Sequence, residues 1–238
     1  MSDEAVRGFK SAGPRSGDVG APEGTPGAAA ERSDSRVGVA GSLLIAGGLV
    51  FFLLNLVAEG TYPHYSVGLD ALSDLGGIGA NTFFLWNGML FVTGALLLAA
   101  VYLLFYTENQ FREVAVGRRA RLVGALYLMP GIGAIMVSLF PGNSALGAAG
   151  LHAIGAFMAF IFGGISAVYA ARLTDGPFRY FSAVLGVIAL VSIPASVFTG
   201  ASAPGLAERL IVYPFVLWAM CFGAYLTGPG PRGRRKGP

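Results

Sequence analysis

The run VAGSLLIAGGLVFFLLNLV, Val39 to Val57, decides the fold. It carries no ionisable side chain over roughly the length that an α-helix needs to cross the roughly 30 Å of bilayer hydrocarbon. A soluble core can hide one such segment, but five more follow, at about 83 to 106, 121 to 140, 151 to 171, 180 to 199 and 210 to 227. Six uninterrupted runs have no place in one water-soluble core. The expectation is an all-α fold, a polytopic transmembrane bundle of six helices. Composition agrees, because 54% of the 238 residues are hydrophobic and 12% are charged, where charged residues make up about a quarter of an ordinary soluble chain.

Around this first run the chain divides simply. Residues 1–36 are rich in Gly, Pro, Ala and Ser with mixed charge, too poor in large apolar residues to offset chain entropy, and are expected as a disordered cytoplasmic tail. Residues 37–228 form the six-helix transmembrane domain, and 229–238 a basic cytoplasmic tail. The first apolar run lies too far from Met1 for a cleaved signal peptide, so it is expected to be the targeting element.

Fifteen of the sixteen basic residues fall on one side of an alternating six-helix arrangement, in the amino-terminal tail, the second and fourth connections and the last tail; Arg209 is the exception. The positive-inside rule then sets both termini in the cytoplasm of a multi-pass protein of the cell membrane. Scattered among helix flanks, these charges form no patch for nucleic acid. The single cysteine, Cys221, excludes a disulfide framework and zinc-finger spacing. No cofactor motif is present, since Gly76-Gly77-Ile78-Gly79 follows no strand.

The first connection, about 58 to 82, contains no Lys or Arg and is expected to face outward. Ser66 reads as the cap of a short interfacial helix running to about Leu75, with Gly76 stopping it in the left-handed conformation. Tyr65, Leu69 and Leu72 share one face of that helix, and Ser66, Asp70, Ser73 and Asp74 the other. Further polar residues gather at the same membrane face. Asn55 and Glu59 end the first helix, Asn87 lies early in the second and His152 begins the fourth. Glu208, Arg209 and Tyr213 begin the sixth, and His64 lies in the loop. Polar groups near hydrocarbon are costly unless paired, which makes them candidates for function.

Two uses of this cluster compete. As fasteners, Asp70 or Asp74 accept hydrogen bonds from His152 or from free helix-end amides, and Arg209 neutralises Glu59 or an acid of the loop. As catalysts, His152 serves as general base, Asp74 as its orienting carboxylate and Ser73 or water as nucleophile. No metal-ligand spacing is present.

The segments Tyr62-Pro63-His64-Tyr65-Ser66 and Ala71-Leu72-Ser73-Asp74-Leu75-Gly76 resemble the signature of the membrane family catalogued as domain of unknown function 998. Trp86-Asn87-Gly88, Phe140-Pro141 and His152 also resemble family positions, so the likeness covers about 40 to 227. It implies a six-helix membrane protein. Asp70 stands where the family more often has asparagine, which shifts weight to Asp74 and His152. The functional expectation is a membrane protein that binds a lipid or a membrane protein partner through its outer mouth. A lipid-directed hydrolase or transferase is the alternative, and a small transporter the weaker one, because the middles of the six runs lack charged residues and histidine.

Overall fold

The computed structural model describes residues 26–107, 118–199 and 202–228, and all its regular elements are helical. Most of the amino-terminal tail, the middle of the second connection with Arg112, and the basic tail 229–238 lie outside the described residues. The helices are α1 (Pro26–Thr61), α2 (Phe83–Tyr102), α3 (Arg118–Leu139), α4 (His152–Ala170), α5 (Pro177–Thr199) and α6 (Pro204–Thr227). One wide helical turn, Leu103–Thr107, prolongs α2, and another, Gly147–Leu151, leads into α4.

Two helices start more than a turn before their apolar runs. Helix α1 begins at Pro26 rather than near 37, because Ala28-Ala29-Ala30-Glu31-Arg32 are strong helix formers behind a proline suited to a first turn. Helix α6 begins at Pro204 for the same reason, so Glu208 and Arg209 lie a turn inside it. Consecutive residues of a helix point about 100° apart, and this pair therefore addresses different neighbours.

Among the described residues, five helices are long and apolar enough to cross a membrane, namely Ser35–Thr61 within α1, α2 with its wide turn, α4 with its lead-in turn, Pro177–Ser196 within α5, and α6. In α3 the apolar stretch found among the described residues is Gly124–Leu139, and Arg118, Arg119 and Arg121 precede it in the sequence. It nevertheless packs between α2 and α4 as a full member of the bundle.

Each helix packs on its sequence neighbours, and α6 returns to α1, so the six close into a ring; α4 also touches α6 across it. Glycines face one another at four of these contacts. A Cβ on Gly41 of α1 would stand 2.6 Å from the Gly223 carbonyl of α6, one on Gly94 of α2 2.8 Å from Gly131 of α3, one on Gly155 of α4 3.0 Å from Gly133 of α3, and one on Gly186 of α5 2.8 Å from Gly164 of α4. Backbone thus meets backbone. Such close approach supplies the van der Waals contact on which helix association in lipid depends.

The half of the bundle remote from the first loop is filled with aromatic rings. Phe215, Trp218, Phe222 and Tyr225 of α6, with Phe178 of α5, form a stacked series whose centroid separations run from 5.0 to 6.1 Å. Their polar atoms are tied inside the core. Trp218 Nε1 donates to Ser182 Oγ at 2.7 Å, Ser182 Oγ donates to the Ala167 carbonyl at 2.7 Å, and Tyr127 donates to the Ser166 carbonyl at 2.9 Å.

Gly41→Ala and Gly155→Ala are expected to lower stability by about 1–3 kcal/mol each, because the new methyl meets backbone that cannot rotate away. Gly88→Ala, where the Cβ has nothing within 4 Å, is expected to be neutral or stabilising. Thermal unfolding of the three variants in one detergent checks this, and equal behaviour would dismiss the glycine contacts as determinants of packing.

Candidate functional site

Arg209 organises the loop end of the bundle. Its Nη2 donates to Glu59 Oε1 at 2.7 Å and to the Tyr65 hydroxyl at 2.8 Å; its Nη1 donates to the carbonyls of Val67 at 2.6 Å and Gly205 at 2.9 Å. The Tyr65 ring lies against the guanidinium, 5.5 Å from centroid to Cζ. One side chain of α6 thereby grips α1 and two points of the first loop. Glu59 Oε1 also accepts from Asn55 Nδ2 at 2.7 Å and from Tyr213 at 3.4 Å, and Asn55 reaches Tyr213 at 3.2 Å. Asn55 and Arg209 are buried.

Tyr65 passes the network on to backbone, its hydroxyl lying 3.3 and 3.2 Å from the carbonyls of Asp70 and Ala71. Burial, partly opposed by the hydrogen bond from Arg209, pushes its pKa up to about 12. The hydroxyl keeps its proton and remains a donor to those carbonyls.

The loop itself differs from the continuous helix expected between Ser66 and Leu75. A single turn forms after Ser66, whose carbonyl accepts from the amides of Leu69 and Asp70 at 3.1 and 2.8 Å. The backbone extends at Ala71, and a 3-10 helix follows over Leu72–Gly76. The carboxylates cause the break. Asp70 Oδ2 accepts from the Ser66 amide at 2.6 Å, and Asp74 Oδ2 accepts from the Ala71 amide at 3.0 Å, so each closes its own local turn in competition with a longer helix. Gly76 is not left-handed; among the loop glycines Gly79 is, at φ 94°. Gly76 is needed for room, since a Cβ there would collide with the Trp86 ring.

Fasteners hold this loop along its length. Ser73 donates through its amide and its hydroxyl to the two carboxylate oxygens of Glu208, at 3.1 and 3.0 Å. Thr82 donates to the Leu75 carbonyl at 2.7 Å, Asn87 to Gly76 at 2.8 Å and Asn81 to Thr61 at 2.8 Å. Asn143, in the connection from α3 to α4, accepts from the Ile78 amide at 2.8 Å and donates to its carbonyl at 3.1 Å.

Beneath the loop lies a cavity of about 110 Å³. Five helices wall it and α5 contributes nothing. Leu72 and Ser73 roof it, Trp86, Leu90 and Leu97 of α2 run down one side, and Phe215 of α6 lies at its deep end, beside the aromatic series. From Trp86 to Leu97 the wall extends about 16 Å at 1.5 Å per residue. The lining is apolar except for Thr93, whose hydroxyl bonds the Gly47 carbonyl at 3.3 Å, and a polar group at the loop end, Ser73, His152 and Glu208.

His152 is positioned by its Nδ1, 3.0 Å from the Phe140 carbonyl. A carbonyl only accepts, so the neutral ring carries its proton on Nδ1 and presents Nε2 as an acceptor. The acid-base pair of Asp74 with His152 is not assembled. Asp74 is held by the Ala71 amide and no hydrogen bond joins the two side chains. Ser73 gives its proton to Glu208 rather than to His152. His64 is exposed at the tip of a turn, at φ 59°, a region that histidine tolerates better than most residues. Among the described residues no three His, Cys, Asp or Glu side chains gather as a metal-binding set.

Over residues 45–225 the chain matches the family described as "Protein of unknown function (DUF998)". The chain belongs to that family. No curated protein and no solved structure matches it. The matched span of this DUF998 chain includes the first loop, its fasteners and the whole cavity wall.

Arg209→Met is expected to cost about 3–5 kcal/mol, because it strands the Glu59 carboxylate among buried neighbours. Adding Glu59→Gln should restore a large part of that loss. If thermal unfolding in detergent shows the double variant to be no more stable than Arg209→Met alone, the ion pair is not what holds the loop.

Proposed function

We propose that the protein is a multi-pass protein of the cell membrane that holds the chain of a lipid in the cavity under its first loop, with that loop on the outer side. The cavity carries the reading. It is narrow, apolar over about three helical turns and polar at one end only, which is the division of chemistry within a single-chain amphiphile. Protein sites for small apolar ligands have this composition, an apolar wall with a few placed polar groups. The orientation rests on the bias of basic residues toward the other end of the bundle. Arg209 does not oppose that bias, since its charge is neutralised within the protein.

Two other readings find less support. A hydrolase or transferase built on Asp74 and His152 lacks the contact that would orient the imidazole. A transport path would have to pass the stacked rings of Phe215, Trp218 and Phe222.

The test uses tryptophan fluorescence, because Trp86 lines the cavity and Trp218 does not. The full chain carrying Trp218→Phe is placed in phosphatidylcholine nanodiscs and titrated with a monoacylglycerol brominated along its chain. Saturable quenching of Trp86 is expected. Ala156→Phe, which fills the cavity from α4, should abolish the saturable part while unfolding stays cooperative. Quenching that rises linearly and identically in both proteins would place the probe in the bulk bilayer and remove the lipid-binding reading.

A further inference from the structure

Resting on that lipid-binding reading, we infer that the cavity selects a single-chain lipid whose head is not anionic and carries hydrogen-bond donors, as a hydroxyl or an amine does. The selection follows from what the three polar side chains at the loop end have left to offer. Ser73 spends its hydroxyl proton on Glu208 and retains lone pairs on Oγ. His152 spends its Nδ1 proton on the Phe140 carbonyl, and its Nε2 has no protein partner among the described residues. Glu208 accepts from the hydroxyl and amide of Ser73 and from the Leu72 amide, and from no other side chain among the described residues. Arg209, the adjacent cation, is not part of the cavity lining, and both its Nη groups are committed, to Glu59, Tyr65, Val67 and Gly205.

The free capacity of these three side chains is acceptor capacity, the one spare donor of the lining is the uncharged Nε1 of Trp86, and the only formal charge among the lining residues is that of Glu208. A carboxylate or phosphate head brings only further acceptors and a like charge into an apolar enclosure, where burying a charge without a partner is expensive. A hydroxyl or ammonium head brings protons for Nε2 of His152 and for the Glu208 carboxylate. The apolar length below takes one chain. Five helices wall a space of about 110 Å³, which matches the bulk of one chain.

Brominated probes of equal chain length and different heads separate this inference from the reading beneath it. Nanodiscs containing the Trp218→Phe protein are titrated with a monoacylglycerol, a long-chain primary amine and a fatty acid, at a pH where the acid is ionised. The monoacylglycerol or the amine, or both, should quench Trp86 at a midpoint at least about tenfold below that of the fatty acid, since like charge at close quarters costs several kcal/mol. The tighter of the two identifies which donor the site prefers. Glu208→Gln keeps an acceptor for Ser73 and removes the charge; it should narrow the gap to the fatty acid while the monoacylglycerol still binds, which also shows that the variant is folded. A fatty acid binding as tightly as the others, or an unchanged gap in Glu208→Gln, would overturn the head selection and leave lipid binding standing. Absence of saturable quenching by all three probes would overturn both.

Discussion

The ion pair of Arg209 with Glu59 is the contact on which the loop end of this bundle depends. A guanidinium near hydrocarbon is costly, and a long loop laid over a helical bundle exposes backbone carbonyls that also need partners. Arg209 answers both demands. Its charge meets Glu59, and its Nη groups also donate to Tyr65 and to the carbonyls of Val67 and Gly205. Remove the cation and the loop loses its grip on α1 and α6 together, while Glu59, Asn55 and Tyr213 keep acceptors and donors arranged around a missing charge.

The adjacency of Glu208 and Arg209 turns one turn of α6 into two tools. Helical geometry directs them to different sides, so the arginine fastens the first part of the loop and the glutamate the 3-10 helix. Around them the rest of the bundle is shut tightly, by facing glycines at four helix contacts and by aromatic rings in the remote half. The cavity survives between the two devices, with Gly94 on its wall and Phe215 at its deep end. It is bounded above by a loop that is held at its edges by Asn81, Asn87, Asn143, Glu208 and Arg209 rather than filled from below.

Much of this was legible in the sequence, and the limits have physical causes. Apolar run length announced six helices, yet it missed the early starts of α1 and α6, because alanine-rich and proline-led turns are helical without being apolar. The convergence of Asn55, Glu59, Glu208, Arg209 and Tyr213 at one end followed from alternation of the chain through the bundle. Periodicity failed in the loop. The spacing of Ser66, Asp70, Ser73 and Asp74 suits one helical face, but short carboxylates bond neighbouring amides at least as readily, and here Asp70 and Asp74 each close a separate turn. Asn143 carried no signal beyond its place in Pro-Gly-Asn, a turn like many others; its bonds to Ile78 belong to tertiary structure. The cavity was equally invisible, since it is made by residues that read only as apolar.

The two loop fasteners that α6 supplies differ in what they can give up. The Arg209 network is internally neutral and spreads over two helices and backbone carbonyls, so releasing it would strand several buried groups at once. The bond between Ser73 and Glu208 is different. Both residues also line the cavity, and a donor arriving there offers the carboxylate a substitute for the Ser73 proton. Exchange of one hydrogen bond for another has a small net free energy. The Ser73 amide, Thr82 and Asn87 still hold the 3-10 helix in such an exchange, and Glu208, rather than Asp74, is the carboxylate that joins the loop to the cavity.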